Sequence, residues 1–385
     1  MIGDRLPPEW RVHRDPVTGR TLRQYTSAHA HSYPLYYFIP SITKEGDRIV
    51  FHSERGGSVQ LYSLDLASGA IRCLTDGKTP DSNWKIWCPR PTSGIYDHLS
   101  VLNGPRREVF YFQDDEIRAT HLDTLNNRRV HALGDRLCIS QNATSPNGRL
   151  LAFVHTARNG FNEALRRRDQ DWTHHDPWRN TVPTTIGVVD CESGACRDVL
   201  EIDFHVHHVI FVDDETLLIN HIRDSTGMWV VRLDGTRRRT LRPADANGRV
   251  VHQVVTARGI FYEAVSISGR VHRSVFGRYD IPTDTFAETE LPFSGYVHVG
   301  FDPLGEVAFF EHHGDAHQLV RVHHFGDPVR QSLEVLRTMP AYPKDQPGQY
   351  CHAHPFMSTE RDRIYFTELI DGISQICSIS LDPDT

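Results

Sequence analysis

Ile49-Val-Phe-His-Ser-Glu-Arg-Gly-Gly57, followed by Gln60-Leu-Tyr-Ser-Leu-Asp-Leu-Ala-Ser-Gly-Ala-Ile-Arg-Cys-Leu-Thr75, decides the fold. Apolar and polar residues alternate, and the alternation is broken once by a Gly pair and once by a polar Gly turn. That pattern reads as strand, turn, strand, turn, strand. The same pattern recurs along the chain. Val109-Phe-Tyr-Phe-Gln113 leads to Ile117-Arg-Ala-Thr-His-Leu-Asp123, and Leu150-Leu-Ala-Phe-Val-His155 leads to Thr185-Ile-Gly-Val-Val-Asp190. Thr216-Leu-Leu-Ile-Asn-His221 leads to Met228-Trp-Val-Val-Arg232, and Gly259-Ile-Phe-Tyr-Glu-Ala264 leads to Val275-Phe-Gly-Arg-Tyr-Asp280. Glu306-Val-Ala-Phe-Phe-Glu311 and Arg363-Ile-Tyr-Phe-Thr-Glu368 open the last two copies.

Seven copies at a spacing of about 45–60 residues, each worth about four strands, predict an all-β chain folded as a seven-bladed β-propeller. The last copy lacks its final strand. Thr18-Gly-Arg-Thr-Leu-Arg-Gln-Tyr-Thr26 matches the closing strand of the first copy and is assigned to fill that place. Closure by an N-terminal strand hides two sheet edges. The whole chain, 1–385, is read as one domain. Residues 158–183 form an insertion over one face, with helix expected near Glu163–Arg168.

Composition agrees with a β-rich protein with many polar turns. Of 385 residues, 39% are hydrophobic and 10% aromatic, and the net charge is −7. An acidic chain is not drawn to nucleic acid by charge. Seven cysteines without regular spacing imply no disulfide framework, and Cys191 and Cys196 lack the second pair that a zinc site of that type needs. The first residues carry no apolar signal core and no apolar run approaches a membrane span, so the expected location is the cytoplasm.

Histidine is the anomaly, at 24 residues. In a propeller the residues just before each innermost strand gather near the axis. Those places hold His207-His208 in copy four, His252 in copy five, His298 in copy six, and His352 with His354 in copy seven. The intervals from His207 to His252, His298 and His352 are 45, 46 and 54 residues, which tracks the blade period. In Gln349-Tyr-Cys-His-Ala-His-Pro355 an extended backbone would turn both imidazoles to one face, with an amide oxygen three residues before. Imidazole with amide oxygen suits a divalent ion such as Mn²⁺. Six imidazoles and one amide exceed the needs of one ion, which leaves a histidine for acid–base work. The competing reading is a buried hydrogen-bonded polar hub.

These residues resemble the oligogalacturonate lyase family (polysaccharide lyase family 22), seven-bladed propellers that cleave short oligogalacturonides by β-elimination with Mn²⁺. The likeness is clearest in Asp15-Pro-Val-Thr-Gly-Arg20, in Ile49 through Leu66, and in Gln349, His352, His354 and Pro355. It implies His298, Gln349, His352 and His354 as metal ligands and His252 as the catalytic base, with His208 as the alternative base. The family carries an Arg directly before the Met-Trp of blade four, where this chain has Gly227; Arg223 stands in the same turn. Arg223, Arg270 and Arg273 are candidates for substrate carboxylates. His31, Tyr33, Trp84, Lys85 and His207 are candidates for sugar subsites. The expected partner is an acidic oligosaccharide from pectin. Two other readings stand beside this one: a non-catalytic binding propeller of the TolB or WD type, and a metal-dependent hydrolase or isomerase on the same ring.

Overall fold

The computed structural model describes residues 1–80, 92–163, 182–220, 227–243, 249–268, 271–290, 298–313, 316–325, 327, 329–341 and 348–382. These form seven consecutive antiparallel sheets, the blades of a β-propeller. Blade 1 runs Ser32–Pro34, Arg48–Ser53, Gln60–Asp65 and Ile71–Cys73. Blade 2 runs Val101–Asn103, Glu108–Gln113, Glu116–His121 and Asn127–Ala132. Blade 3 orders Arg136–Cys138, Leu150–Ala157, Thr184–Asp190 and Cys196–Ile202, with Ala143–Thr144 also on Leu150–Ala157. Blade 4 has His208–Asp213, Thr216–Asn220, Met228–Arg232 and Arg239–Arg242. Blade 5 has Arg249–Thr256, Gly259–Ser268, Val271–Asp280 and Thr285–Glu290. Blade 6 has Val299–Phe301, Ala308–His313, His317–His323 and Ser332–Met339. Blade 7 has Phe356–Met357, Arg363–Ile370 and Ile373–Ser380.

The missing strand of blade 7 comes from the N-terminus, as the sequence predicts. Thr21–Gln24 pairs with Ile373–Ser380, in the register Leu22 to Ile379 and Gln24 to Cys377. Arg11–Arg14 adds a further strand outside it. Before that, Arg5–Leu6 pairs with Ile71–Cys73 at the edge of blade 1, a contact that sequence reasoning missed. These pairings satisfy ladder hydrogen-bond groups that would otherwise face water or another chain.

A repeated turn explains why the copies look alike in sequence. In Asp65-Leu-Ala-Ser-Gly69, the Asp65 carboxylate accepts from Ser68 N and Ser68 Oγ, both at 2.7 Å, and Gly69 takes φ +74°. Asp190, Ser193 and Gly194 repeat this, with Ser193 N at 2.9 Å from Asp190 Oδ1 and Gly194 at φ +72°. Asp15, Thr18 and Gly19 do so again at 2.7 Å. The carboxylate takes over the backbone donors that the turn leaves orphaned, and glycine supplies the left-handed residue.

The chain divides into two compact units, Met1–His98 with His252–Thr385, and Leu99–Val251. In the first unit the blades stack through apolar faces. Phe276 and Val299 meet Phe310 and Val320. Phe309, Leu319 and Leu336 meet Ile364, Phe366 and Ile379. Tyr365 and Ile376 meet Ile49, Phe51 and Leu64. In the second unit Val154, Ile186 and Val188 pack on Val209, Leu217 and Trp229. Successive side chains of each strand thus serve two interfaces, which explains the continuous apolar runs of the second strands. Of the 158–183 insertion, residues 158–163 are helical and Val182–Pro183 are placed; the expected helix near Glu163–Arg168 falls otherwise outside the described residues. Among the described residues no helix is long and apolar enough to cross a membrane.

Candidate metal and active site

His298 directly precedes the first strand of blade 6, and its carbonyl accepts from Glu311 N at 2.9 Å in the neighbouring strand. That pairing sets the Glu311 carboxylate behind the His298 ring. His298 Nδ1 donates to Glu311 Oε2 at 2.9 Å. His252 and Glu263 repeat the arrangement one blade earlier, with Nδ1 donating to Oε2 at 2.5 Å. The two imidazole rings lie 5.0 Å apart.

Blade 7 supplies the rest through a loop, not an extended strand. Gln349–Cys351 is a single 3-10 turn, His352 is extended, and His354 takes a left-handed backbone with φ +38°. The His352 and His354 rings still face the same way, stacked 5.8 Å apart at 19°. Both approach His298, at 4.7 and 4.5 Å between centroids. His352 Nδ1 donates to Glu311 Oε1 at 3.1 Å, and His354 Nε2 donates to Gln349 Oε1 at 2.9 Å. The four residues assigned to a metal from the sequence are therefore gathered in one place, with His252 beside them.

Each of these imidazoles has one nitrogen held by an acceptor, so its lone pair lies on the other. At His354 that other nitrogen, Nδ1, is buried and has no hydrogen-bond partner among the described residues. An orphaned buried acceptor costs about 1–3 kcal/mol unless something fills it. Ligand atoms of His298, Glu311 and His352 lie within 4.8 Å of one another. Nitrogen donors with a carboxylate and an amide oxygen fit a divalent ion of the Mn²⁺ class.

Electrostatics keep the donors in binding form. Burial pushes the His298 imidazole down to about 3, against the opposing pull of Glu311. Burial, then the neighbouring His298 and His352, hold His354 well below its usual value. Glu311 is fully buried, and burial alone would raise it. The nearby His352 and hydrogen bonds from His298, His313 and His317 overcome that and hold its carboxyl well below the usual range.

Sequence reasoning missed several neighbours. Tyr37 lies 5.4 Å from His298 and 5.6 Å from His252, and Tyr36 lies 4.8 Å from His354. His98, at φ +58°, stands before the first strand of blade 2, where Trp84 and Lys85 were expected. Its ring is 6.3 Å from His354. His98, His252 and His354 all hold positive φ, as do other non-glycine residues in turns such as Arg107, Asp114 and Asp371, so this backbone conformation is not peculiar to the site.

Of the remaining candidates the structure describes some and not others. Tyr33 is fully buried, stacked between His52 and His98, and donates to Asp97 Oδ1 at 2.7 Å. His31 packs on Tyr350 at 4.6 Å and accepts from Ser374 N at 3.1 Å. His207 and His208 are buried in the Leu99–Val251 unit, where His207 N donates to the Asn220 carbonyl at 3.0 Å and Asn220 Nδ2 lies 3.3 Å from His208 Nδ1. Arg273 lies on strand Val271–Asp280 opposite Ser266. Gly227 has φ +65°, which an Arg at that place would adopt only with strain. Trp84, Lys85, Arg223 and Arg270 lie outside the described residues.

No family model matches the chain, and no curated protein matches it in sequence. Solved structures do. An oligogalacturonate lyase from Vibrio parahaemolyticus superposes with a TM-score of 0.80 at 15% identity, over 99% of each chain. An oligogalacturonate lyase in complex with manganese gives 0.81 at 16% identity, over 99% of this chain and 98% of that one. A puromycin-hydrolysing peptidase from Mycobacterium tuberculosis gives 0.52 at 18%, over 96% of this chain but 57% of that one. At these identities the likeness establishes the fold, and the resemblance read from the sequence holds as a shared seven-bladed propeller over the full chain.

Proposed function

We propose that this chain is a metal-dependent lyase that cleaves uronate-containing oligosaccharides, of the oligogalacturonate type, by β-elimination. One observation carries the reading: His298, His352 and His354 converge around a buried nitrogen without a partner, beside a His252 whose tautomer is fixed by Glu263. A hydrogen-bonded polar hub gives His354 Nδ1 no partner, whereas a metal ion would. The shared fold with two oligogalacturonate lyases, one bound to manganese, supports the same reading.

His298, His352 and His354 would hold the ion, with the Gln349 amide oxygen beside them. When bound, it supplies positive charge to a substrate carboxylate and so eases loss of the proton at the neighbouring carbon. The chain's own residues do the rest. Glu263 keeps a proton on His252 Nδ1, which makes Nε2 the basic nitrogen. That nitrogen takes the proton from C5 of the uronate. The C5–H electron pair becomes the C4=C5 double bond, the C4–O bond breaks, and the departing oxygen is protonated. Tyr36 and Tyr37 pack their rings against His354 and His298 and so help fix the orientation of those imidazoles. His208 is the alternative base. The substrate is an acidic oligosaccharide derived from pectin, met in the cytoplasm.

The test is a panel of uronate oligosaccharides incubated with the protein and Mn²⁺. A 4,5-unsaturated product absorbs in the near ultraviolet, whereas hydrolysis or isomerisation creates no such chromophore. Cleavage without absorbance would overturn the lyase reading.

A further inference from the structure

Glu311 gathers more imidazoles than the site above uses. Its Oε2 takes His298, and three ring nitrogens converge on its Oε1: His313 Nε2 at 2.8 Å, His352 Nδ1 at 3.1 Å and His317 Nε2 at 3.2 Å. We propose that Glu311, His313 and His317 bind a second divalent cation, of the zinc class.

The backbone builds this group. His313 ends strand Ala308–His313, His317 begins His317–His323, and the two are directly opposite in the ladder. Directly paired residues put their side chains on one face. Their rings stack 4.5 Å apart at 10°, with both Nε2 atoms turned to the same carboxylate oxygen.

A carbonyl stands behind the group. His317 Nδ1 lies 3.3 Å from the Pro340 carbonyl, which can only accept, so Nδ1 carries a proton and Nε2 is the atom turned to Glu311. That carbonyl is the outer-shell partner that fixes a ligating imidazole.

Two imidazoles and one glutamate, with a place left for water, form a familiar zinc donor set. All three ligand atoms lie within 4.8 Å of one another. A tetrahedral site with bonds of about 2.1 Å needs edges of about 3.4 Å, close to the 2.8 and 3.2 Å found here. Glu311 is fully buried while the His313 side chain is 23% exposed, so an ion reaches the group from solvent along His313. The alternative is an imidazolium at His317 paired with Glu311 and no ion.

The experiment counts ions on the metal-stripped full chain, with Zn²⁺ as the probe and equilibrium dialysis followed by elemental analysis. The wild type should bind two equivalents. His313→Gln, at a partly exposed hairpin end, should keep its fold by circular dichroism and weaken one equivalent by at least ~10-fold while the other stays. His317→Gln provides a second reading of the same loss. His298→Ala with His354→Ala should lose the other equivalent and keep this one. If the wild type binds one ion or none, and His313→Gln and His317→Gln change nothing, the second site is overturned. A single ion lost only with His298 and His354 leaves the proposed lyase site standing, whereas a single ion lost only with His313 or His317 establishes this site and refutes the other.

Discussion

At the scale of single residues, His252 separates binding from chemistry. It stands beside His298 but is anchored by its own carboxylate, Glu263, instead of Glu311. His252→Ala should therefore retain bound metal and lose about 10²–10⁴-fold in turnover, the usual worth of a general base. Glu263→Gln should lower kcat with little change in KM and move the pH profile, because Glu263 acts through His252 and touches no substrate. Near-normal turnover in His252→Ala would transfer the role of base to His208. His352→Ala with His354→Ala should abolish bound Mn²⁺ by elemental analysis with the circular dichroism spectrum unchanged, since the blades have their own cores. The histidines were legible because they keep blade phase. Glu263 and Glu311 were not, because a lone glutamate in a strand reads as a solvent-facing residue. A signal was present: both follow two aromatic residues, Phe261-Tyr262 and Phe309-Phe310, at the same place in successive copies. His98 was missed because the irregular stretch before blade 2 hid where its first strand begins.

At the scale of elements, the N-terminal strand shows what a repeat does and does not reveal. Thr21–Gln24 was legible because it repeats the apolar alternation of the Ile71–Cys73 strand and because blade 7 lacked one member. Arg5–Leu6 was not, since two residues carry no periodicity. Leu22 is the anchor of the closing strand. It pairs with Ile379 and is buried against Ile364 and Phe366. Leu22→Ala should cost about 2–3 kcal/mol, the usual range for a buried leucine with partial relaxation. The check is the urea midpoint, with the slope of the transition unchanged. An unchanged midpoint would mean that the strand contributes pairing alone. Residues 158–163 of the insertion are helical and continue directly from strand Leu150–Ala157, while the rest of the helix expected near Glu163–Arg168 lies outside the described residues.

At the scale of the whole molecule, the buried histidines set how the fold responds to acid. Burial pushes His52 down to about 4 and His298 to about 3, and it also lowers His155 and His354. In the unfolded chain each titrates near 6.5. Between these values the unfolded state binds protons that the folded state refuses, so stability rises with pH there and falls as pH drops below about 6.5. The contribution is fully present above that pH and is lost progressively toward pH 3–4. For His52 and His298 the loss reaches ~2 kcal/mol each by pH 5, a large share of a typical stability of 5–15 kcal/mol. Carboxylates do not mimic this. Asp190, held at about 2 by its Ser193 hydrogen bonds, loses its contribution only as pH falls below about 4. The metal-stripped protein should therefore show a urea midpoint that drops steeply between pH 7 and pH 5, with proton uptake on unfolding at pH 5. His52→Gln should flatten part of that slope. A midpoint constant across that interval would mean that these rings are protonated in the folded state, and the neutral donor set on which the metal site depends would fall with it.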